Sequence, residues 1–330
     1  MNVDQRNRVD ATEYSSGGPE LSFVIPVYGS PQSLEPLCER IAVVCRTLGV
    51  SHEVILVDDR CPVGSWEAIK RLVVMDPSVL GMRLSRNFGQ HAAINAGLSI
   101  VRGEWVVVMD CDLQDQPEEV PAMLGVAKAG SFDIVRARRG ERNDPLYRRA
   151  LSKIFYAIFS FLTNTHQSAE IANFGIYHKR VIEAVNAWQE ESKYFPAIIE
   201  WIGFSQSTVA VSHSARFSGK SSYSFRSLFR LGLNVVVGFS DRPLKLMMYA
   251  GLIMAIASFL LSLIVLVIGL MGLFTAQGWA SIILSIWFLA GSILFGLGLT
   301  GLYIGRILIE AKGRPTFIVD TLLRGSRGQA

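Results

Sequence analysis

Residues 246–305, sixty in a row, contain no Asp, Glu, Lys or Arg. Globular surfaces carry charge at far shorter intervals, so this stretch does not belong to an ordinary soluble domain. Residues 246–273 and 281–305 are each long enough to cross, as a helix, a hydrocarbon layer about 30 Å thick. The uncharged link between them is short, which predicts a transmembrane hairpin spanning 244–306 with both ends on one side. Arg226, Arg230, Arg242 and Lys245 precede the hairpin, and Arg306, Lys312, Arg314, Arg324 and Arg327 follow it. That cation bias puts both ends in the cytoplasm.

The flanks fit this division. Residues 221–239 predict a two-faced helix, with Phe225, Leu228, Phe229, Val236 and Phe239 opposite Arg226, Arg230 and Asn234. Such a helix suits a membrane interface, so 216–243 is expected to be amphipathic and juxtamembrane, and 307–330 a basic cytoplasmic tail. Residues 1–19 have no apolar run, which predicts a disordered leader rather than a cleaved signal. Four cysteines, Cys38, Cys45, Cys61 and Cys111, show neither Cys-x-x-Cys nor disulfide-rich spacing and read as reduced thiols. The net charge of +4 is modest, and no nucleic-acid partner is expected.

Residues 20–215 have a different texture. Short β-branched runs (21–28, 53–58, 80–84, 105–109 and 133–137) alternate with stretches of helical apolar spacing (33–48, 65–73, 91–101 and 117–129). Alternation of this kind predicts a mostly parallel sheet with helices on both faces. The order of elements between 163 and 218 is not legible from the pattern.

The run Trp105–Met109 stops at Asp110, Asp112 and Asp115, with Gln114 among them. In open α/β sheets ligands gather beyond the carboxyl ends of the strands, so these acids mark a ligand site. Two carboxylates one residue apart plus an amide oxygen are hard ligands suited to Mg²⁺ or Mn²⁺, and such ions usually hold substrate phosphates. Taken by itself, an Asp-x-Asp could equally be a solvated turn.

Pro26-x-Tyr28, Val57-Asp58-Asp59, Leu84-Ser85-Arg86-Asn87-Phe88-Gly89 and Asp110-Cys111-Asp112-Leu113-Gln114-Asp115 occur in that order. Together they resemble the GT-A (Rossmann-like) catalytic domain of family 2 glycosyltransferases. With the hairpin after Arg216-Phe217-Ser218-Gly219-Lys220, the likeness is to the polyprenyl-phosphate branch of that family. The resemblance implies a UDP- or GDP-sugar donor bound by Pro26, Tyr28, Asp59, Arg86, Gly89 and Asp110. It implies Mg²⁺ or Mn²⁺ on Asp110, Asp112 and Gln114, with Asp110, Asp112 and Arg138 as catalytic residues. It further implies an integral protein of the bacterial inner membrane and a lipid acceptor, undecaprenyl or dolichyl phosphate, and it leaves homo-oligomerisation open.

A phosphate monoester, with a second pKa near about 6, is already a nucleophile at neutral pH and needs cations rather than a base. Arg138, Arg149 and Ser152 are expected at that phosphate, together with Arg216 and Lys220, which equally suit anionic lipid. The reaction implied is inverting, because no second carboxylate is placed to form a glycosyl-enzyme intermediate. Two departures stand out: Asn173-Phe174-Gly175 where relatives often carry Asp-Phe-Arg, and Arg60-Cys61 where Gly-Ser is usual. A polysaccharide synthase-like transferase and a non-catalytic membrane subunit are the alternatives. The first normally carries Gln-x-x-Arg-Trp, which does not occur here. The second would have been favoured by loss of Asp112 or Gln114, and both are present.

Overall fold

The computed structural model describes residues 18–139, 171–188, 194–211, 242–271 and 279–325. The expected leader and the expected juxtamembrane helix lie outside them, apart from the last few residues of each. The chain divides into two compact units. Among the described residues, one contains every strand and the other the two long apolar helices.

The first unit is built on eight strands: β1 (Leu21–Val27), β2 (His52–Asp58), β3 (Val79–Leu84), β4 (Trp105–Val108), β5 (Ile134–Arg139), β6 (Ile171–His178), β7 (Gln206–Val211) and β8 (Val319–Arg324). Their order across the sheet is β7-β5-β6-β4-β1-β2-β3-β8. The central β4-β1-β2-β3 block is parallel, as the alternation predicts, and β5 and β7 are parallel to each other. Two strands depart from that pattern. β6 runs antiparallel between β4 and β5, and β8 runs antiparallel against β3. The expected basic tail is therefore in part a strand of the sheet.

Residue parity explains the two faces. Phe23, Ile25, Leu56, Val107 and Ile176 point one way and are buried with α1 (Leu34–Leu48), α2 (Ser65–Met75) and α4 (Val120–Gly130) in one apolar cluster. Each such side chain contributes about 1.5–3 kcal/mol by leaving water. The opposite parity carries Val24 and Val108, paired across β1 and β4, and Val57, whose partner on β1 is Pro26, under α3 (Gln90–Leu98). Helix α3 lies close because Gly97 has no side chain: a Cβ there would stand 2.5 Å from Val24 Cγ1 and 3.1 Å from Val57 Cγ2. That close seat fixes where the first turn of α3 meets the ends of the strands. Helices α5 (Lys179–Asn186) and α6 (Phe195–Trp201) also belong to this unit.

The second unit holds α7 (Arg242–Leu270) and α8 (Trp279–Ala311). Both are longer than the sequence pattern predicts. Among the described residues, Phe288–Ala311 is a stretch long and apolar enough to cross a membrane, and Leu244–Met254 is a shorter apolar one. Large apolar side chains on both helices are exposed, among them Leu252, Ile256, Leu260, Phe288 and Leu294.

Candidate active site at the carboxyl edge

The carboxyl ends of β1 to β4 deliver Tyr28, Asp58-Asp59, Ser85-Arg86 and Met109-Asp110 to one edge of the sheet. Because β6 is antiparallel, it begins at that edge. Its pairing with β4 ends at Val108 with Gly175, so Asn173 lies beyond the paired segment at the same edge. Strand β5 ends there too, with Arg138 and Arg139. Pro26, Asp59 and Asp110 share the parity of Val24, Val57 and Val108, which is the face that α3 covers.

Proline in a central strand removes a ladder donor. The Pro26 nitrogen points to the β4 side, since Val24 O accepts from Met109 N at 3.3 Å and backbone direction alternates along a strand. The pairing with β4 has ended at Val24 and Val108, so no ladder bond is lost. Pro26 itself is buried, whereas Tyr28 beyond the strand end is 49 % exposed.

The two acids ending β2 divide their work. Asp58 is fully buried; it accepts from Cys61 N at 3.0 Å and forms an ion pair with Arg83 Nε at 3.1 Å. Asp59 faces α3 and accepts from Phe88 N at 2.7 Å and Gly89 N at 2.8 Å. Gly89 has φ of +96°, a conformation that an L side chain would strain. Burial raises the pKa of both acids; the Phe88 and Gly89 amides pull that of Asp59 back down in part. Arg86, in the same loop, is exposed and lies 4.1 Å above the Phe88 ring.

Asp110 accepts from Gln90 Nε2 at 2.6 Å, and its own N–H donates to Asp115 Oδ2 at 3.1 Å. Asp112 Oδ1 accepts from Gln114 N at 3.1 Å across Leu113, whose φ is +64°. The turn thus gathers Asp110, Asp112 and Gln114 on a single bend. Among the described residues no three acidic, histidine or cysteine side chains form an all-protein metal cage. Two carboxylates and an amide fit Mg²⁺ or Mn²⁺ on other grounds, since such ions take one or two carboxylates and complete their shell with phosphate and water.

The departures from the family pattern have structural reasons. Arg60 adopts φ of +55°, where glycine would be at ease, and its Nη1 lies 3.1 Å from Asp320 Oδ2 on β8. Cys61 Sγ accepts from Gly29 N and from Ser65 Oγ, each at 3.1 Å, much as a serine oxygen would. Gly175 sits under Tyr177: a Cβ at 175 would meet the phenol oxygen at 2.7 Å and Cζ at 2.9 Å. No larger residue fits there unless Tyr177 moves, so an arginine at 175 would have to displace this phenol.

Of the residues expected at the acceptor, Arg138 is exposed at the end of β5. Its neighbour in alternation, Arg136, is buried against Glu200 at 2.6 Å and Gln206 at 2.8 Å and serves the core instead. Arg149, Ser152, Arg216 and Lys220 lie outside the described residues. Sequence reasoning missed Gln90 and Asp320. Gln90 opens α3 directly after Gly89, a position from which a side chain can reach a strand end; Asp320 gives no local signal at all.

A mostly parallel α/β sheet with acids and a glycine-bearing helix entrance at its carboxyl edge defines a class, the open α/β proteins whose ligands sit beyond the carboxyl ends of the strands. Glycosyl transferase family 2 matches residues 22–185. The chain is 31% identical over 301 residues to the uncharacterized glycosyltransferase YkcC of Bacillus subtilis (strain 168), covering 91% of this chain and 93% of that one. It is 31% identical over 307 residues to the undecaprenyl-phosphate 4-deoxy-4-formamido-L-arabinose transferase of Photorhabdus laumondii, covering 92% and 94%. A solved mannosyltransferase of Pyrobaculum calidifontis, in complex with GDP-Man and Mn²⁺, aligns with a TM-score of 0.46 at 14% identity over 90% of this chain and 88% of its own. That last likeness is too slight to argue from. The chain belongs to glycosyl transferase family 2 and is a glycosyltransferase.

Proposed function

We propose that the protein transfers a sugar, with inversion, from a UDP- or GDP-sugar to polyprenyl phosphate at the cytoplasmic face of a membrane that it spans twice. The observation that carries this is the convergence of Asp59, Arg86, Gln90–Asp110 and the Asp112–Gln114 turn on one edge of the sheet. Asp59 orders the Phe88–Gly89 amides; Tyr28 and Arg86 flank them and would meet the nucleobase side and the diphosphate. Asp110, Asp112 and Gln114 would hold Mg²⁺ or Mn²⁺, which when bound neutralises charge on the departing diphosphate. Arg138, with Arg149 and Ser152, would hold the acceptor phosphate in line; no side-chain base is needed. The likeness to an undecaprenyl-phosphate transferase over nearly the whole chain supports the lipid acceptor.

Connectivity supports two crossings. Strand β7 precedes α7, strand β8 follows α8, and both belong to one sheet. A single crossing would leave β8 across the bilayer from β3, with which it pairs. If the apolar stretch crosses at all, the pairing of β8 with β3 favours an even number of crossings, and the cations at both of its ends support a cytoplasmic sheet. The test is purified protein in detergent with undecaprenyl phosphate, a divalent ion and each sugar nucleotide in turn, with the lipid product read by mass. A glycosylated lipid phosphate is expected. Release of free sugar alone, or sugar on a hydroxyl acceptor, would overturn the acceptor assignment.

A further inference from the structure

Strand β8 is the outermost strand on the β3 side of the sheet, yet in sequence it comes after both apolar helices. It touches two loops of the edge just described. Its pairing with β3 runs from Leu80 with Arg324 to Leu84 with Val319, and one step on Ser85 N donates to Ile318 O at 2.9 Å. Ser85 is where the loop of Arg86, Phe88 and Gly89 begins. The second loop is reached by Asp320, whose Oδ2 lies 3.1 Å from Arg60 Nη1. Arg60 stands between Asp59, which binds the Phe88 and Gly89 amides, and Cys61, which binds Gly29 N. The far end of β8 is seated tightly as well: a Cβ on Gly325 would come within 2.9 Å of Pro77 Cα and 3.0 Å of Val73 O. Beside this fixed strand, Arg60 is kept in a left-handed conformation that non-glycine residues seldom adopt. The guanidinium that this residue extends meets the carboxylate of the strand.

We propose that Arg60 and Asp320 are positioning residues of the donor site, and that β8 holds the loops 59–61 and 85–89 at the separation a nucleoside diphosphate requires. The chain that has returned from the apolar helices thereby completes the site. The proposal rests on the donor-binding reading above.

The test uses the full chain in detergent, carrying Arg60→Gly, Asp320→Asn, or the exchange Arg60→Asp with Asp320→Arg. Glycine takes φ of +55° without strain, so Arg60→Gly removes the guanidinium and leaves the loop its backbone. In each single variant the donor KM should rise about fivefold, the effect of losing an exposed ion pair worth about 1 kcal/mol. The values of kcat and acceptor KM should stay put, and the exchange should restore donor KM. Amide hydrogen exchange is read in parallel: residues 85–89 should exchange faster in Asp320→Asn than in the unaltered chain. A fall in melting temperature with unchanged donor KM and unchanged exchange at 85–89 would make the pair a mere edge clip and overturn the proposal. If the unaltered chain uses no sugar nucleotide, the donor reading fails, while the exchange data still decide whether Asp320 holds the two loops.

Discussion

Gln90 donates its side-chain amide to the Asp110 carboxylate at 2.6 Å, linking the first residue of α3 to the residue that follows β4 and Met109. Hydrogen bonds to a charged group are worth about 1.5–3 kcal/mol, enough to fix which way the carboxylate faces. Gln90→Leu keeps the bulk and removes the donor. Transfer should fall by about tenfold or more in kcat/KM, and the Mn²⁺ concentration for half-maximal activity should rise. Unchanged metal dependence would mean that Gln90 merely caps the helix.

Asp112→Asn removes a charge at nearly constant volume. If Asp112 shares the diphosphate-neutralising ion, transfer should drop by about 10²–10³, the cost of deleting one electrostatic stabiliser in a transition state. Membrane extraction behaviour and melting temperature should not move. Retention of most activity with Mg²⁺ or Mn²⁺ present would show the metal assignment to be wrong.

Gly175 is a packing prediction. An alanine there needs the space of the Tyr177 phenol, whose oxygen lies 2.7 Å from the added Cβ. Tyr177 is fully buried and meets Phe195 edge-on at 5.3 Å between ring centroids, so it has little room to retreat. Gly175→Ala should destabilise the chain by about 1–3 kcal/mol, read as melting temperature. Combined with Tyr177→Phe, which deletes the nearest atom, it should recover part of that loss. Equal losses with and without the hydroxyl would place the strain elsewhere.

These contacts show what the sequence could and could not disclose. The acids were legible because each ends an apolar run, and a strand end at a parallel sheet's carboxyl edge is where a ligand site forms. Parity then brought Asp59 and Asp110 to one face without any long-range information. The role of β8 was illegible although Pro315 and Gly325 flank Val319–Arg324, because the segment follows sixty uncharged residues that dominate any local reading. Its pairing with β3 is decided by an edge more than two hundred residues earlier in the chain. The Arg60-Cys61 departure had no visible reason in the sequence on the same ground: the partner that accounts for Arg60, Asp320, is equally remote.

His91 offers a pH test. Its Nδ1 is buried with no hydrogen-bond partner, its ring lies edge-on to Tyr194 at 4.5 Å, and burial lowers its pKa to about 4. The folded-state value lies below the ordinary 6.5, so the folded chain binds fewer protons than the unfolded chain between the two. The stabilising contribution is complete above about pH 6.5 and is lost as pH falls towards 4, amounting to about 3 kcal/mol. His91→Phe keeps a ring against Tyr194 and removes the titration. Its melting temperature should fall less than that of the unaltered chain between pH 7 and about pH 4.5. Parallel falls would mean that the imidazole finds solvent after all.

The last prediction concerns the missing base. If the acceptor is a phosphate, transfer requires its dianion, so the pH–rate curve should rise through the acceptor's own ionisation near about pH 6 and then level off. Cations at the phosphate favour the dianion and draw the midpoint lower. Arg138 is exposed where β5 reaches the carboxyl edge, the position from which a guanidinium can meet a phosphate presented to that edge. Arg138→Ala should therefore raise the acceptor KM and move the midpoint upward while leaving sugar-nucleotide binding nearly unchanged. A hydroxyl acceptor would behave otherwise: it would need a side-chain base, and Glu170 and His166 are the acid and imidazole nearest in sequence to the start of β6. Alanine at each, assayed with undecaprenyl phosphate, separates the two chemistries. Near-complete inactivation by either change, in a chain that still folds and binds donor, would sink the base-free mechanism; ordinary rates in both, with the midpoint still shifted by Arg138→Ala, are what a phosphate nucleophile requires.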